Sequence, residues 1–237
     1  MSEWLASLLT PGEMEAIGLS LRVAFWAMVW SLPLAILTAW LLARCRFPGR
    51  ALLDGLIHLP LVLPPVVIGY VLLVLLGRNG AIGSWLYDLF GITLAFSWRG
   101  AAVASGVVAF PLVVRAIRLS LEAVDLRLEQ ASRTLGAHPV AVFFTITLPL
   151  TLPGIVAGTI LGFARSLGEF GATITFVSNI PGETQTLPIA LYSLTQVPGG
   201  EDAAFRLVVI SVVIAMIALA ASEILARRAR ARVEGRR

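Results

Sequence analysis

Five stretches of this chain, Ser20–Leu42, Leu56–Leu76, Arg99–Ile117, Pro153–Thr175 and Arg206–Ala226, are apolar around their whole circumference. Each approaches the ~20 residues that carry a helix across a ~30 Å hydrocarbon layer. A helix without a polar stripe must be buried in protein or lipid, and lipid admits only backbone that satisfies its own polar groups. The pattern predicts an all-α integral membrane protein with about five transmembrane helices. The third span is the shortest, with only Gly100–Val114 between Arg99 and Arg115, whose long side chains can reach the headgroups. Composition agrees: 58% of the residues are hydrophobic and 14% charged, against about 25% charged in soluble domains.

The arginines orient these spans. Arg44, Arg46 and Arg50 follow the first, Arg115, Arg118, Arg127 and Arg133 follow the third, and Arg227, Arg228, Arg230, Arg232, Arg236 and Arg237 form the tail. Those are 13 of the 18 basic residues, leaving Arg22, Arg78, Arg99, Arg165 and Arg206. An excess of basic residues marks the cytoplasmic side, so the N-terminus is expected outside and the C-terminus inside. The expected division is an extracytoplasmic segment 1–16, a membrane domain 17–226 and a basic tail 227–237. Such a tail is the usual flank of a last span and attracts anionic lipid; nucleic-acid binding would need a basic fold or interleaved aromatics.

Several chemistries are excluded by residue type. All 18 basic residues are Arg, so no Gly-Lys-Ser/Thr phosphate loop exists and any ATP hydrolysis must come from a partner. Cys45 is the one cysteine, and His58 and His138 are the only histidines, which leaves no disulfide framework and no zinc spacing. The acidic opening MSEWLASLLTPGEMEA lacks the basic start of a signal peptide. No metal, cofactor or catalytic group is expected.

Between the third and fourth spans runs the polar stretch Glu129–Pro149. Leu121, Val124, Leu128, Ala131 and Leu135 recur at helical steps, predicting an amphipathic helix over Leu121–Leu135. Glu129 and Arg133 are spaced as a favourable i,i+4 pair. Gly136 permits a left-handed helix end, and Pro139 suits the first turn of the next helix. From the residues alone, this is either a plain connector or a docking element.

Three features lie within the spans. Gly154, Gly158 and Gly162, with Ser166 on the same step, form a small-residue stripe that suits either packing within the subunit or a homodimer contact. Arg165 and Glu169 lie one turn apart near membrane depth, as a structural ion pair or as an anion-facing arginine held by its carboxylate. Pro60, Pro64 and Pro65 force irregular backbone in the second span, as a pore-lining hinge or a kinked packing helix. His58 reads as a hydrogen-bonded interface residue rather than a proton relay.

The step from Gly136 to Ile146, Leu148 and Pro149 resembles the EAA loop of ABC-importer permeases, a cytoplasmic helix–turn–helix that plugs into a separate ATPase subunit. The resemblance implies coupling through Glu129, Gln130, Ala131, Arg133, Gly136, Ile146, Leu148 and Pro149. One departure is plain: Gln130, followed by Ala131 and Ser132, stands where the motif usually opens Glu-Ala-Ala, and Glu129 comes one residue early. The stretches Arg44–Tyr70, Val114–Ala137, Val142–Ile155 and Ala164–Pro188 further resemble the permeases of molybdate ABC transporters. That family implies a type I importer fold and a homodimer in the cell inner membrane, joined to two ATPase subunits. A periplasmic or lipid-anchored binding protein would deliver molybdate, or tungstate, and the permease itself would catalyse nothing. The rivals are a sulfate or thiosulfate permease of the same superfamily and, in a different class, a secondary anion transporter. The latter would be expected to show paired repeats.

Overall fold

The computed structural model of the chain describes residues 9–234, in ten helices with no strand among the described residues. The first eight residues, Gly235, and the side chains of the tail arginines Arg227, Arg228, Arg230, Arg232, Arg236 and Arg237 lie outside the described residues. Four helices are long and apolar enough to cross a membrane: α1 (Pro11–Arg44), α5 (Trp98–Glu122), α7 (Pro139–Leu167) and α10 (Glu201–Glu234, spanning over Glu201–Ala221). A bent pair, α2 (Arg50–Val62) and α3 (Pro65–Leu76), meets the same length and composition test only when taken together, and is bent by 116° as a broken span or a re-entrant loop. Thus the expected span Leu56–Leu76 is not one rod. Pro64 and Pro65 supply no backbone N–H at the break, and the chain turns there instead of continuing.

Helix α1 starts where its sequence says it should. Thr10 accepts a hydrogen bond from the Glu13 N–H at 3.4 Å, while the Glu13 carboxylate accepts from the Thr10 N–H at 2.7 Å, with Pro11 in the first turn. Its buried face is mostly small: Ala16, Ser20, Ala24, Ala27, Ala35 and Ala39. The facing surface of α5 is equally small, with Ala101, Ala104, Ser105, Gly106 and Ala109 buried. Helices that gain nothing from hydrophobic exclusion in lipid associate through such close backbone approach.

Helix α5 is the hub of the bundle, 67% buried over its spanning window and packed against α1, α7 and α8 (Gly171–Val177). By contrast α10 is 11% buried and lies at the periphery against α7 and α9 (Leu187–Thr195). The glycine stripe of α7 packs within the subunit. A Cβ on Gly154 would overlap Ser120, one on Gly158 would lie 3.2 Å from the Val113 carbonyl oxygen, and one on Gly162 would lie 2.7 Å from Met28 Sδ. These glycines therefore seat α7 on α5 and α1, and Ser166 is buried on the same face.

Two short helices complete the fold, α4 (Ala81–Phe90) after the broken pair and α6 (Leu126–Thr134) between α5 and α7. At the end opposite the arginine-rich one, Arg206 Nη2 meets Glu13 Oε1 at 3.0 Å, and the Leu187 N–H donates to Ser20 Oγ at 2.7 Å. These contacts fix α10 and α9 to α1.

Candidate functional site

At the arginine-rich end, the helix expected over Leu121–Leu135 is two helices. Helix α5 stops at Glu122, and Asp125 starts α6 afresh by accepting from the Arg127 N–H at 2.9 Å. The expected apolar stripe splits as well. Leu121 and Val124 are buried, whereas Leu128, Ala131 and Leu135 are exposed, Leu135 to 89%. After Thr134 the chain closes in a Schellman turn: Gly136 has φ +87°, its N–H donates to the Arg133 carbonyl at 3.0 Å, and the Ala137 N–H donates to that of Ser132 at 3.1 Å. A side chain at 136 would meet nothing within 4 Å, so backbone conformation alone demands glycine there.

Pro139 opens α7, with His138 as its cap. Between Phe143 and Thr147 the helix widens into a π turn, closed by the Leu148 N–H donating to the Phe143 carbonyl. Pro149 follows at once; it has no N–H to give to residue 145, and the wider turn makes room for its ring. The second helical piece of the loop and the fourth span, expected to begin only at Pro153, are therefore one continuous helix. Ile146, Leu148 and Pro149 sit half-buried in it, whereas Gln130, Ala131 and Arg133 are exposed on α6. Val140 and Phe144, one turn apart on α7, are exposed beside the turn.

Beneath this exposed apolar tip lies a buried charge. Glu129 is 6% exposed, and its Oε1 accepts from Arg44 Nη2 at 2.9 Å and from Thr147 Oγ1 at 3.0 Å. Arg44 also reaches the Val124 carbonyl at 3.4 Å. Glu129 thus pairs with Arg44 and not with Arg133, its helical neighbour. Arg44 and Thr147 are residues that local pattern reading does not single out.

The second candidate region lies at the far end of α7, about 40 Å from Pro139 at ~1.5 Å per residue. The loop and this region are not brought together. Helix α7 ends at Leu167, and the expected span Pro153–Thr175 breaks at Gly168–Phe170 before α8 begins. Glu169 is 2% exposed: its Oε2 forms an ion pair with Arg165 Nη1 at 2.8 Å, and its Oε1 accepts from the Ala172 N–H at 2.9 Å, capping α8. Arg165 keeps 36% of its side chain exposed. Helix α8 packs on α3, where a Cβ on Gly171 would lie 2.9 Å from that of Pro65 and one on Gly69 would lie 2.5 Å from the Ala172 carbonyl oxygen. The proline break and the ion pair are therefore neighbours through α8. Pro60 lies inside α2, Pro64 caps α3 and Pro65 occupies its first turn.

A polar cleft of about 490 Å³ opens between α2 and α5, lined by Asp54, His58, Arg115, Arg118 and Glu122. Arg118 holds both Asp54 oxygens at 3.1 Å, and His58 Nδ1 lies 2.8 Å from the Asp54 carbonyl oxygen. Both contacts of His58 are with Asp54, one turn back on its own helix. No group of three or more His, Cys, Asp or Glu among the described residues could hold a metal ion.

Residues 31–231 match the family described as binding-protein-dependent transport system inner membrane component. The chain belongs to that family. It is 66% identical over 225 residues to the molybdenum transport system permease protein ModB of Escherichia coli (strain K12), covering 95% of this chain and 98% of that one. It is 40% identical over 182 residues to the sulfate transport system permease protein CysT of Escherichia coli (strain K12), covering 77% of this chain and 65% of that one. The fold is shared with a bacterial ABC transporter involved in the import of alginate, with a TM-score of 0.75 at 16% identity over 96% of this chain and 83% of that one. Membership of this family makes the chain an inner-membrane transport component and not a secondary transporter.

Proposed function

We propose that the chain is the permease subunit that carries molybdate, with tungstate as an alternative cargo, through an ATP-driven importer. The observation that carries this is identity of 66% to a molybdenum permease along nearly its whole length, against 40% over a shorter stretch to a sulfate permease. In this reading the arginine-rich end faces the cytoplasm, the N-terminus lies outside and the C-terminus inside. Two copies form the translocation unit, and each binds one ATPase subunit. A periplasmic or lipid-anchored molybdate-binding protein delivers the anion at the opposite face. The permease hydrolyses nothing itself and needs no cofactor.

The docking element is α6–Gly136–α7. Leu135, Val140 and Phe144 expose apolar surface at the point where the chain projects from the bundle, as expected of a surface built to enter a partner's groove. At the other end Arg165, half-exposed beside the proline break, offers positive charge to a passing oxyanion, with Glu169 fixing its position. Molybdate uptake in cells stripped of their own molybdate and sulfate permeases tests the proposal. Expression of this chain with its ATPase and binding protein should restore uptake of molybdate but not of sulfate at equal concentration. Restored sulfate uptake without molybdate uptake would refute the assignment.

A further inference from the structure

We infer that Arg44, at the end of α1, is a positioning residue that transmits motion of the docking element into the membrane bundle. The inference rests on the docking reading of α6–Gly136–α7 and adds a route beyond it. One carboxylate oxygen, Oε1 of Glu129, gathers donors from two separate helices: the guanidinium of Arg44 on α1 and the hydroxyl of Thr147 in the π turn of α7. The same guanidinium reaches the Val124 carbonyl, between α5 and α6. Four elements of the chain therefore meet at one buried point directly under the exposed tip.

Two features separate this junction from an ordinary stabilising pair. First, its partners lie 85 and 18 residues apart, so it can hold only while α1, α6 and α7 keep one mutual position. Both side chains are largely desolvated, at 12% and 8% exposure, so a displacement cannot be cushioned by water. Second, the guanidinium is not used as a fork. Only Nη2 contacts Glu129, and Arg44 Nε is buried without a partner, although a two-pronged Arg–carboxylate pair would satisfy both. The junction is thus under-satisfied in this arrangement, and a small shift of α6 against α1 could bring the second prong into register. A push on the tip reaches α7 through the continuous helix; it reaches α1 through Arg44.

The test is transport by the whole complex, the permease reconstituted in lipid vesicles with its ATPase and its molybdate-loaded binding protein. The quantity read is molybdate imported per ATP hydrolysed. For Arg44→Gln, the ATPase should co-purify at the unmodified ratio while molybdate per ATP falls about tenfold, a typical loss of inter-site coupling. Arg44→Lys, which keeps the charge and one donor, should recover part of that ratio. An unchanged ratio in Arg44→Gln would overturn the inference, and so would loss of the ATPase from the complex, because Arg44 would then only shape the docking face. Thr147→Val removes the second donor without stranding a charge and should fold even where Arg44→Gln does not. It should lower the ratio about fivefold, and an unchanged ratio there would also overturn the inference. Leu135→Glu tests the underlying reading by itself: loss of co-purification supports docking, whereas full retention sinks docking whatever Arg44 does.

Discussion

Glu129 and Glu169 are both buried carboxylates paired with an arginine, at N···O distances of 2.9 and 2.8 Å, yet they differ in what they join. Glu169 takes its partners from one turn either side, Arg165 behind it and the Ala172 N–H ahead. It shapes a local event, the break between α7 and α8. Glu129 takes its side-chain partners from α1 and α7. It joins elements that have no local reason to move together. A buried ion pair by itself says little about role, since its desolvation cost offsets much of its attraction. Whether the partners are near or far in sequence tells more: near partners fix a conformation, distant ones fix a relationship between helices.

If the arginine-rich end is where force enters, the largest effect should follow from disturbing its turn. Gly136→Val places a β-branched residue at φ +87°, at a cost of at least about 1–2 kcal/mol even before branching is counted. The space around it is open, so the protein should insert and fold while molybdate uptake falls to background. Normal uptake by Gly136→Val would remove the turn from the coupling route.

The Glu169 region should respond differently. Arg165→Met alone leaves the buried Glu169 carboxylate without its partner, and stability should drop by about 3–5 kcal/mol, whereas Glu169→Gln strands only the half-exposed Arg165 and should cost less. In the double variant expression should recover, because no charge is stranded, but uptake should stay low, because the passing anion has lost its positive group. A well-expressed double variant with restored molybdate uptake would reduce the pair to a structural one.

A smaller effect marks the packing between the two regions. Gly158→Ala would set a methyl 3.2 Å from the Val113 carbonyl oxygen and from the Ala116 side chain. Overpacking of this kind typically costs about 1–3 kcal/mol. Thermal unfolding in detergent should show that loss with the oligomeric state unchanged. Dissociation of a dimer without loss of monomer stability would move the stripe to an intersubunit contact.

Much of this was legible in the chain. Hydropathy located the four long helices and the bent pair, the Gly136 turn and the Pro139 helix start followed from residue type, and Pro64 and Pro65 mark the break between α2 and α3 while Pro60 sits inside α2. Other features were hidden for physical reasons. A docking face and a core-facing stripe share the same periodicity, so the amphipathic pattern of Leu121–Leu135 did not tell that Leu128 and Leu135 are exposed. Asp125 falls in the middle of the one helix expected over Leu121–Leu135, whereas it caps the start of a second. The helix starting at Pro139 and the span starting at Pro153 were expected to be separate; a π turn instead carries one helix past Pro149. The Arg44–Glu129 contact spans 85 residues, and no local window contains both partners.

The account stands most directly on where Leu135 goes. With Cys45 replaced by Ser and Leu135 by Cys, a short thiol-reactive photo-crosslinker on residue 135 should join the permease covalently to the ATPase subunit in the assembled complex. The yield should change when ATP is added, as the docking element moves with its partner. Crosslinks confined to lipid or to the permease itself, in a complex that still imports molybdate, would contradict the proposal that this turn is the point of coupling.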